Sequence, residues 1–210
     1  MNITLDSLKW RYATKKFDDT KLLSNHKIEV IKEAFNLTAT SYGLQPVKLV
    51  IFSDKELQSK LVKHTMNQEQ VSQASHVLVF CIALDIDPDY ITNYFNRVKE
   101  IRNTPDEILK PFQNFLMNDF EQMSQKQIEN WAIKQAYLTI GNLLTVCALE
   151  NIDACPMEGF SPDKYDEILK LNQLNLKSVL VMPIGYRAED DMFAEFKKVR
   201  KEITNSVIEI

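Results

Sequence analysis

Glycine is scarce in this chain, with four in 210 residues. With only seven prolines as well, the composition argues against a loop-rich or disordered chain. No repeat, low-complexity tract or linker is visible, so a single domain over residues 1–210 is expected. Neither G-x-G-x-x-G nor G-x-x-x-x-G-K-S/T occurs, which removes the dinucleotide fingerprint and the P-loop. No G-x-S-x-G elbow occurs either. The three cysteines, Cys81, Cys147 and Cys155, form no C-x-x-C pair. An odd count without a disulfide framework fits a reducing, cytoplasmic setting. Cys81 and Cys147 lie in apolar runs and read as buried structural thiols, while Cys155 adjoins the Pro156 loop. His26, His64 and His76 lack metal-ligand spacing, so no metal is expected. Asp85, Asp87 and Asp89 lack the glycine and distal glutamate of a calcium loop and read as a strand end leading into an acidic helix start. Met1-Asn2-Ile3-Thr4 has no basic leader character, and no run of about 18 apolar residues is seen, so no export signal and no membrane span are expected. The net charge of −4 argues against nucleic acid as a partner.

What is present is ordinary for a globular protein: 45% hydrophobic and 26% charged residues. Residues 3–12 read as a short helix. Ser24 is a partial N-cap for a helix over about 25–37, with Lys27 where a capping box wants Glu. A polar loop of small residues leads to Gln45-Pro46. Val47–Ser53 reads as a strand, and Asp54 caps a helix over about 55–64. Val77–Leu84 and Ser178–Tyr186 are apolar throughout, the pattern of strands buried on both faces. One or two helices fill about 88–122, broken at Asn103-Thr104-Pro105. The tail from Lys197 reads as basic and then β-like at Val207-Ile208.

Residues 125–150 form the longest predicted helix. From Ile128 to Ala148 it is apolar nearly all round, so it must be buried on most sides. At about 1.5 Å per residue it would be roughly 37 Å long. A single domain of this size has difficulty enclosing such a rod, and Ala132, Ala136, Thr139 and Gly141 permit close approach of another helix. The spacing therefore predicts a core helix that also forms a subunit interface, the alternative being a central helix in a monomer.

Three separated pieces could build one anion site. Arg11-Tyr12-Ala13-Thr14-Lys15 and Lys198-Val199-Arg200 are basic, and Pro156-Met157-Glu158-Gly159-Phe160 is a short loop able to present backbone N–H groups. By composition alone, Lys197–Lys201 is more readily a solvated face than a phosphate grip, and Glu189-Asp190-Asp191 reads as a solvated loop.

These pieces together resemble the nitroreductase family of FMN-dependent NAD(P)H oxidoreductases. Arg11–Phe17 resembles its R-x-S-x-K/R-x-F/Y opening, and Ala39–Pro46 its P-S-S-x-N-x-Q-P-W segment. Ala74-Ser75-His76-Val77 is similar to its approach to a core strand. Trp131–Asn142 resembles its central helix, Pro156–Phe160 its P-I/M-E/G-G-F loop, and Lys198–Arg200 its terminal K-x-R.

The resemblance implies an α+β fold: a mixed central sheet flanked by helices, in an intertwined homodimer with FMN at the interface. It implies that Arg11, Lys198 and Arg200 hold the FMN phosphate, as planar and charge-assisted donors suit. Tyr12 and Ala13 belong to the same segment. Lys15 would lie at the N1/O2 edge of the ring, favouring the reduced flavin. Asn67 and Gln70 would lie near the pyrimidine edge. Pro156, Met157, Glu158 and Gly159 would line the ring, with the Glu158 and Gly159 N–H groups toward N5. Thr40, Ser41 and Gly43 would reach the partner's flavin, and Gln135 would face the site. Phe112, Phe115, Met117 and Phe120 would supply a lid, or simply pack in the core. NAD(P)H would be the co-substrate, with nitroaromatics, quinones or other small conjugated molecules as acceptors in a ping-pong hydride transfer.

Departures from the family pattern bear on substrate and potential. Ala13 replaces Ser, Ala39 and Thr40 replace Pro and Ser, Gly43 stands for Asn, Val47 for Trp, and Gln70 for Lys. Loss of that second cation implies a lower flavin potential. Two other readings stay open: a non-catalytic flavin-binding or storage protein on this scaffold, and a dimeric interaction protein whose basic tail binds an anionic partner.

Overall fold

The computed structural model describes residues 2–210. Its sheet runs in the order β1 (Val47–Phe52), β2 (His76–Ala83), β4 (Leu176–Gly185), β3 (Asp153–Ala154). The helices among the described residues are α1 (Ile3–Trp10), α2 (Asn25–Asn36), α3 (Lys55–Val62), α4 (Gln70–Gln73), α5 (Pro88–Arg102), α6 (Asp106–Gln122), α7 (Gln125–Leu149) and α8 (Pro162–Ile168). The expected α+β class is met.

All strand pairs are antiparallel. The mixed character expected of the sheet is confined to one parallel bridge, Ala13 to Ala154. An apolar run signals burial on both faces but not strand direction, which is why the sequence did not decide this. Along β2, Val77, Val79 and Cys81 face one core layer, whereas Leu78 and Phe80 face the other. Helix α7 serves both layers. Ile128, Ala132 and Ala136 pack in the first, and Ile140, Leu143 and Cys147 in the second. That double duty explains its nearly all-round apolar sequence. By length and composition alone α7 is long and apolar enough to cross a bilayer, a test that a buried core helix also passes. Here nine of its residues are buried in the protein core. Each fully buried Leu or Ile in these layers contributes about 1.5–3 kcal/mol.

Local chemistry sets the helix ends. Ser24 Oγ accepts from Lys27 N at 3.4 Å, and Asp54 from Leu57 N at 2.7 Å. Asp87 accepts from Tyr90 N at 2.8 Å, so the acidic run is a helix start. Asn103 closes α5 in the left-handed region (φ 50°), and Pro105 precedes α6. Ser124 and Gln127 form a reciprocal capping box that the sequence reading missed. Helix α1 stops at Trp10 rather than residue 12, because Arg11 is extended (ψ 144°).

Two further expectations change. The tail forms no strand: Ile203–Asn205 is a single 3-10 turn, and Val207, Ile208 and Ile210 are exposed. A strand needs a neighbour to satisfy its backbone groups, and the tail has none within the protomer. Asp191, read as solvated, is 4% exposed. Net charge in a stretch does not reveal that one carboxylate of three turns inward to meet backbone donors from the opposite end of the chain.

Candidate functional site

The N-terminal segment is laid along the sheet end. Thr14 N donates to Ala154 O at 3.4 Å, Asp18 N to Tyr186 O at 2.8 Å, and Ala188 N to Lys16 O at 3.0 Å. Phe17 bridges Arg187 antiparallel. Residues 13–18 thus run between β3 and the stretch after β4. Asp191 fastens them. Its Oδ2 accepts from Tyr12 Oη (2.7 Å), Lys15 N (2.9 Å) and Lys16 N (3.1 Å), and its Oδ1 accepts from Phe193 N (3.2 Å). Burial pushes the Asp191 carboxyl up, but these donors outweigh it and leave it below the usual carboxylate range.

A second buried carboxylate braces the same wall. Asp153 accepts from Arg187 N (2.9 Å) and Nε (2.8 Å). The Arg187 Nη2 lies 2.6 Å from Asp153 Oδ1, although no N–H points along that line. The guanidinium lies over both Trp10 (4.2 Å to the ring centre) and Tyr12 (4.6 Å).

Against this wall gather the predicted phosphate residues. Burial and then the charge of Arg200 push Arg11 down from its ordinary value. Burial and then Arg11, Arg200 and Arg187 do the same to Lys198. Cations from residues 11 and 198–200 therefore sit within one another's fields, and among the described residues Arg11, Lys198 and Arg200 have no carboxylate partner. Lys198 Nζ donates instead to Lys9 O at 2.7 Å, at the end of α1. Like charges gathered without a counter-charge form a site that an anion would stabilise. Lys15 is exposed and also lacks a carboxylate partner, whereas its neighbour Lys16 pairs with Asp190. The fields of Lys15 and Arg11 both reach Cys155, beside the Pro156 loop.

That loop prolongs β3 along β4: Cys155 N donates to Pro183 O at 3.1 Å, and Met157 N to Val181 O at 2.8 Å. Beyond Met157 the pairing stops. The N–H groups of Glu158 and Gly159 donate to no protein acceptor among the described residues. Asn67 lies in a turn (φ 56°) packed on this loop. Ser161 N donates to His64 O at 2.8 Å, and Gln68 Nε2 to Gly159 O at 3.4 Å. Tyr137 Oη donates to Glu158 Oε1, a bond that, with burial, pushes the phenol up to about 12. Tyr137, Leu144, Pro156, Glu158 and Leu180 line a cleft of about 490 Å³, within the roughly 300–1,000 Å³ of small-ligand clefts.

The remaining predicted residues form a separate unit. Ser41 N donates to Gln135 Oε1 at 2.7 Å, and Gln135 Nε2 to Trp131 O at 3.1 Å. Both ends of the buried Gln135 amide are thus taken by the protein. Thr40 Oγ1 accepts from Gln45 N at 3.1 Å. Gly43 has φ 75°, and Tyr42 beside it packs on Phe112, Phe120 and Trp131. Gln135 and Tyr137 are two residues apart, so they leave α7 about 200° apart. Among the described residues no hydrogen bond or ion pair joins Thr40–Gly43 to the cations or the Pro156 loop. Gln70 is buried in α4. In the lid segment Phe112 and Phe115 are exposed and stacked at 6.2 Å, while Phe120 is buried against Trp131. Asp191, Asp153 and Arg187 were missed. Their only signal was a charged residue adjoining an apolar strand, which is too common to select them.

The family model of the nitroreductase family matches residues 8–186. The chain belongs to the nitroreductase family. It is 32% identical over 197 residues to a Bacillus subtilis (strain 168) protein named for NAD(P)H nitroreductase activity, covering 89% of each chain. A nitroreductase family protein from Streptococcus pneumoniae TIGR4 superposes with a TM-score of 0.81 at 25% identity, covering 98% of each. A protein of the same fold from Exiguobacterium sibiricum 255-15, solved in complex with FMN, superposes at 0.84 with 19% identity, covering 100% of this chain and 98% of the other. Within this nitroreductase-family chain the site is a cation cluster, a loop with uncommitted N–H donors and a mostly apolar cleft beside that loop.

Proposed function

We propose that this chain is an FMN-dependent oxidoreductase that takes electrons from NAD(P)H and delivers them to small conjugated acceptors such as nitroaromatics or quinones. The observation that carries the reading is the gathering of Arg11, Lys198 and Arg200 without a counter-carboxylate, with the Arg11 segment bridged to β3, from whose end the Glu158–Gly159 loop continues. A ligand with a dianionic phosphate and a flat, hydrogen-bonding ring fits that pairing. Names of relatives and the FMN complex of a fold neighbour support it. Bound FMN would supply acceptance of hydride from NAD(P)H and its release to an acceptor that binds after the nicotinamide has left.

The chain's own residues act by position and field. Arg11, Lys198 and Arg200 bind the phosphate. Lys15 places positive charge where reduction puts negative charge, and Gln70 adds none. The Glu158 and Gly159 N–H groups orient the ring edge, with Asn67 beside them, and the apolar cleft wall excludes water. No side chain serves as a nucleophile. We place the chain in the cytoplasm as a homodimer in which Thr40, Ser41 and Gly43 complete the partner's site. The exposed apolar residues of α1 (Ile3, Leu5, Leu8) and of α7 (Tyr137, Leu138) support such a seam.

The test is the visible spectrum of the purified protein, reconstituted with FMN and then mixed with NADPH or NADH without air. Flavin bands that bleach with the nicotinamide are expected. Bands that persist would leave a flavin-binding or storage protein, and no FMN uptake would remove the flavin reading altogether.

A further inference from the structure

We infer that Asp191 is a positioning residue: by holding the backbone from Tyr12 to Lys16 on one buried carboxylate, it fixes the direction in which Lys15 presents its charge to the flavin. The inference rests on the reading above, in which Lys15 faces the reduced edge of the ring.

The geometry is unusually concentrated. Three donors from residues 12, 15 and 16 converge on a single oxygen at 2.7–3.1 Å, and the other oxygen is turned to Phe193 N. The donors of residues 15 and 16 are consecutive backbone N–H groups, so both peptide planes flanking Lys15 Cα are fixed in relation to one point. Tyr12 is held at its hydroxyl by Asp191 and at its ring face by Arg187, which in turn is paired with Asp153. The segment therefore has little freedom to turn. Lys15 itself is long, exposed and unpaired. The rotamer freedom of such a side chain opposes its staying in one place. A fixed Cα–Cβ direction is then the main constraint on where the ammonium can reach.

A bare structural staple would make the same hydrogen bonds, so the test reads Lys15 itself. Asp191→Glu keeps the charge but displaces the oxygens by one methylene. Tyr12→Phe keeps Asp191 and its charge and removes one of the three converging bonds. Each is made alone and combined with Lys15→Met. The readouts are the midpoint potential of the bound flavin and FMN affinity from titration of the apoprotein. Lys15→Met should lower the midpoint. Asp191→Glu should lower it by at least half as much in the parent chain, and by little or nothing once Lys15 is already Met. Tyr12→Phe should follow the same pattern with a smaller shift. Non-additivity of this kind is the signature of two residues acting through one interaction.

If both variants lower the midpoint equally with and without Lys15, or leave it unchanged, the inference is overturned and Asp191 only staples the chain ends. Should Asp191→Glu fail to fold, Tyr12→Phe decides by the same comparison. A parent protein that takes up no FMN would instead sink the functional reading. FMN uptake with an unmoved midpoint in Lys15→Met would remove Lys15 from the ring edge, and this inference with it.

Discussion

At the scale of single residues, the site is a matter of which charges are answered and which are not. Asp153 is answered by Arg187, and Asp191 by four donors. Arg11, Lys198 and Arg200 are left facing one another. Their mutual repulsion should slightly destabilise the unliganded protein, and a bound phosphate would relieve it. Hydrogen bonds to charged groups are worth about 1.5–3 kcal/mol, so Arg200→Ala should weaken FMN binding about tenfold or more. Titration of the apoprotein by flavin fluorescence checks this. Arg97, held in an exposed pair with Glu100, is the control, and Arg97→Ala should leave FMN affinity unchanged. Equal affinity in the two variants would take Arg200 off the phosphate. The basic tail was visible in the sequence, but its role was not. Lys197–Lys201 has the composition of any solvated face, and only the approach of residue 11 distinguishes it.

At the scale of elements, glycine shows how far local pattern reaches. Gly43 and Gly159 both lie in segments that the sequence singled out, and both are close to other groups. Gly43 has φ 75°, and a Cβ there would meet Tyr94 Oη at 2.7 Å. Gly159 has an ordinary φ, and its Cβ would meet Met66 Sδ at 2.9 Å, the far end of an exposed, flexible side chain. Gly43→Ala should therefore cost about 1–3 kcal/mol from backbone strain alone, or several degrees of melting temperature for a chain this size. Gly159→Ala should melt within about a degree or two of the parent, since Met66 can swing away. Thermal unfolding of the two apoproteins checks the order, and its reversal would mean that the turn at Tyr42–Gly43 relaxes freely. The elements themselves were largely legible. The two apolar runs, the break at Asn103–Pro105 and the caps at Ser24 and Asp54 announced β2, β4, α5, α6, α2 and α3, because each rests on chemistry within a few residues. The two-residue strand β3, strand direction and the inward turn of Asp191 were not legible, because each depends on a partner more than twenty residues away.

At the scale of the molecule, the protomer has apolar surface that its own core does not use. Helix α1 buries none of its residues, yet carries Ile3, Leu5 and Leu8 at 71%, 52% and 40% exposure. It packs on α7, where Tyr137 and Leu138 are exposed as well. The tail adds Ile203, Val207, Ile208 and Ile210. A contiguous patch of such groups would be costly in water, and the proposed twofold seam along α7 would cover those on α1 and α7. Such a seam would also account for the separation of Thr40–Gly43 from the cations within one chain, since these residues would complete a site across the interface. Leu138→Lys separates folding from assembly. The side chain is 55% exposed in the protomer, so a charge there should change protomer stability by no more than about 0.5 kcal/mol. Placed opposite its own copy, the same lysine would bring two like charges into a desolvated seam. The expected result is a folded monomer by sedimentation, with unchanged far-ultraviolet dichroism and with FMN affinity lost along with the dimer. A variant that stays dimeric and keeps its flavin would move the seam off this face of α7. A folded monomer that retains full FMN affinity would show that one protomer completes the site unaided.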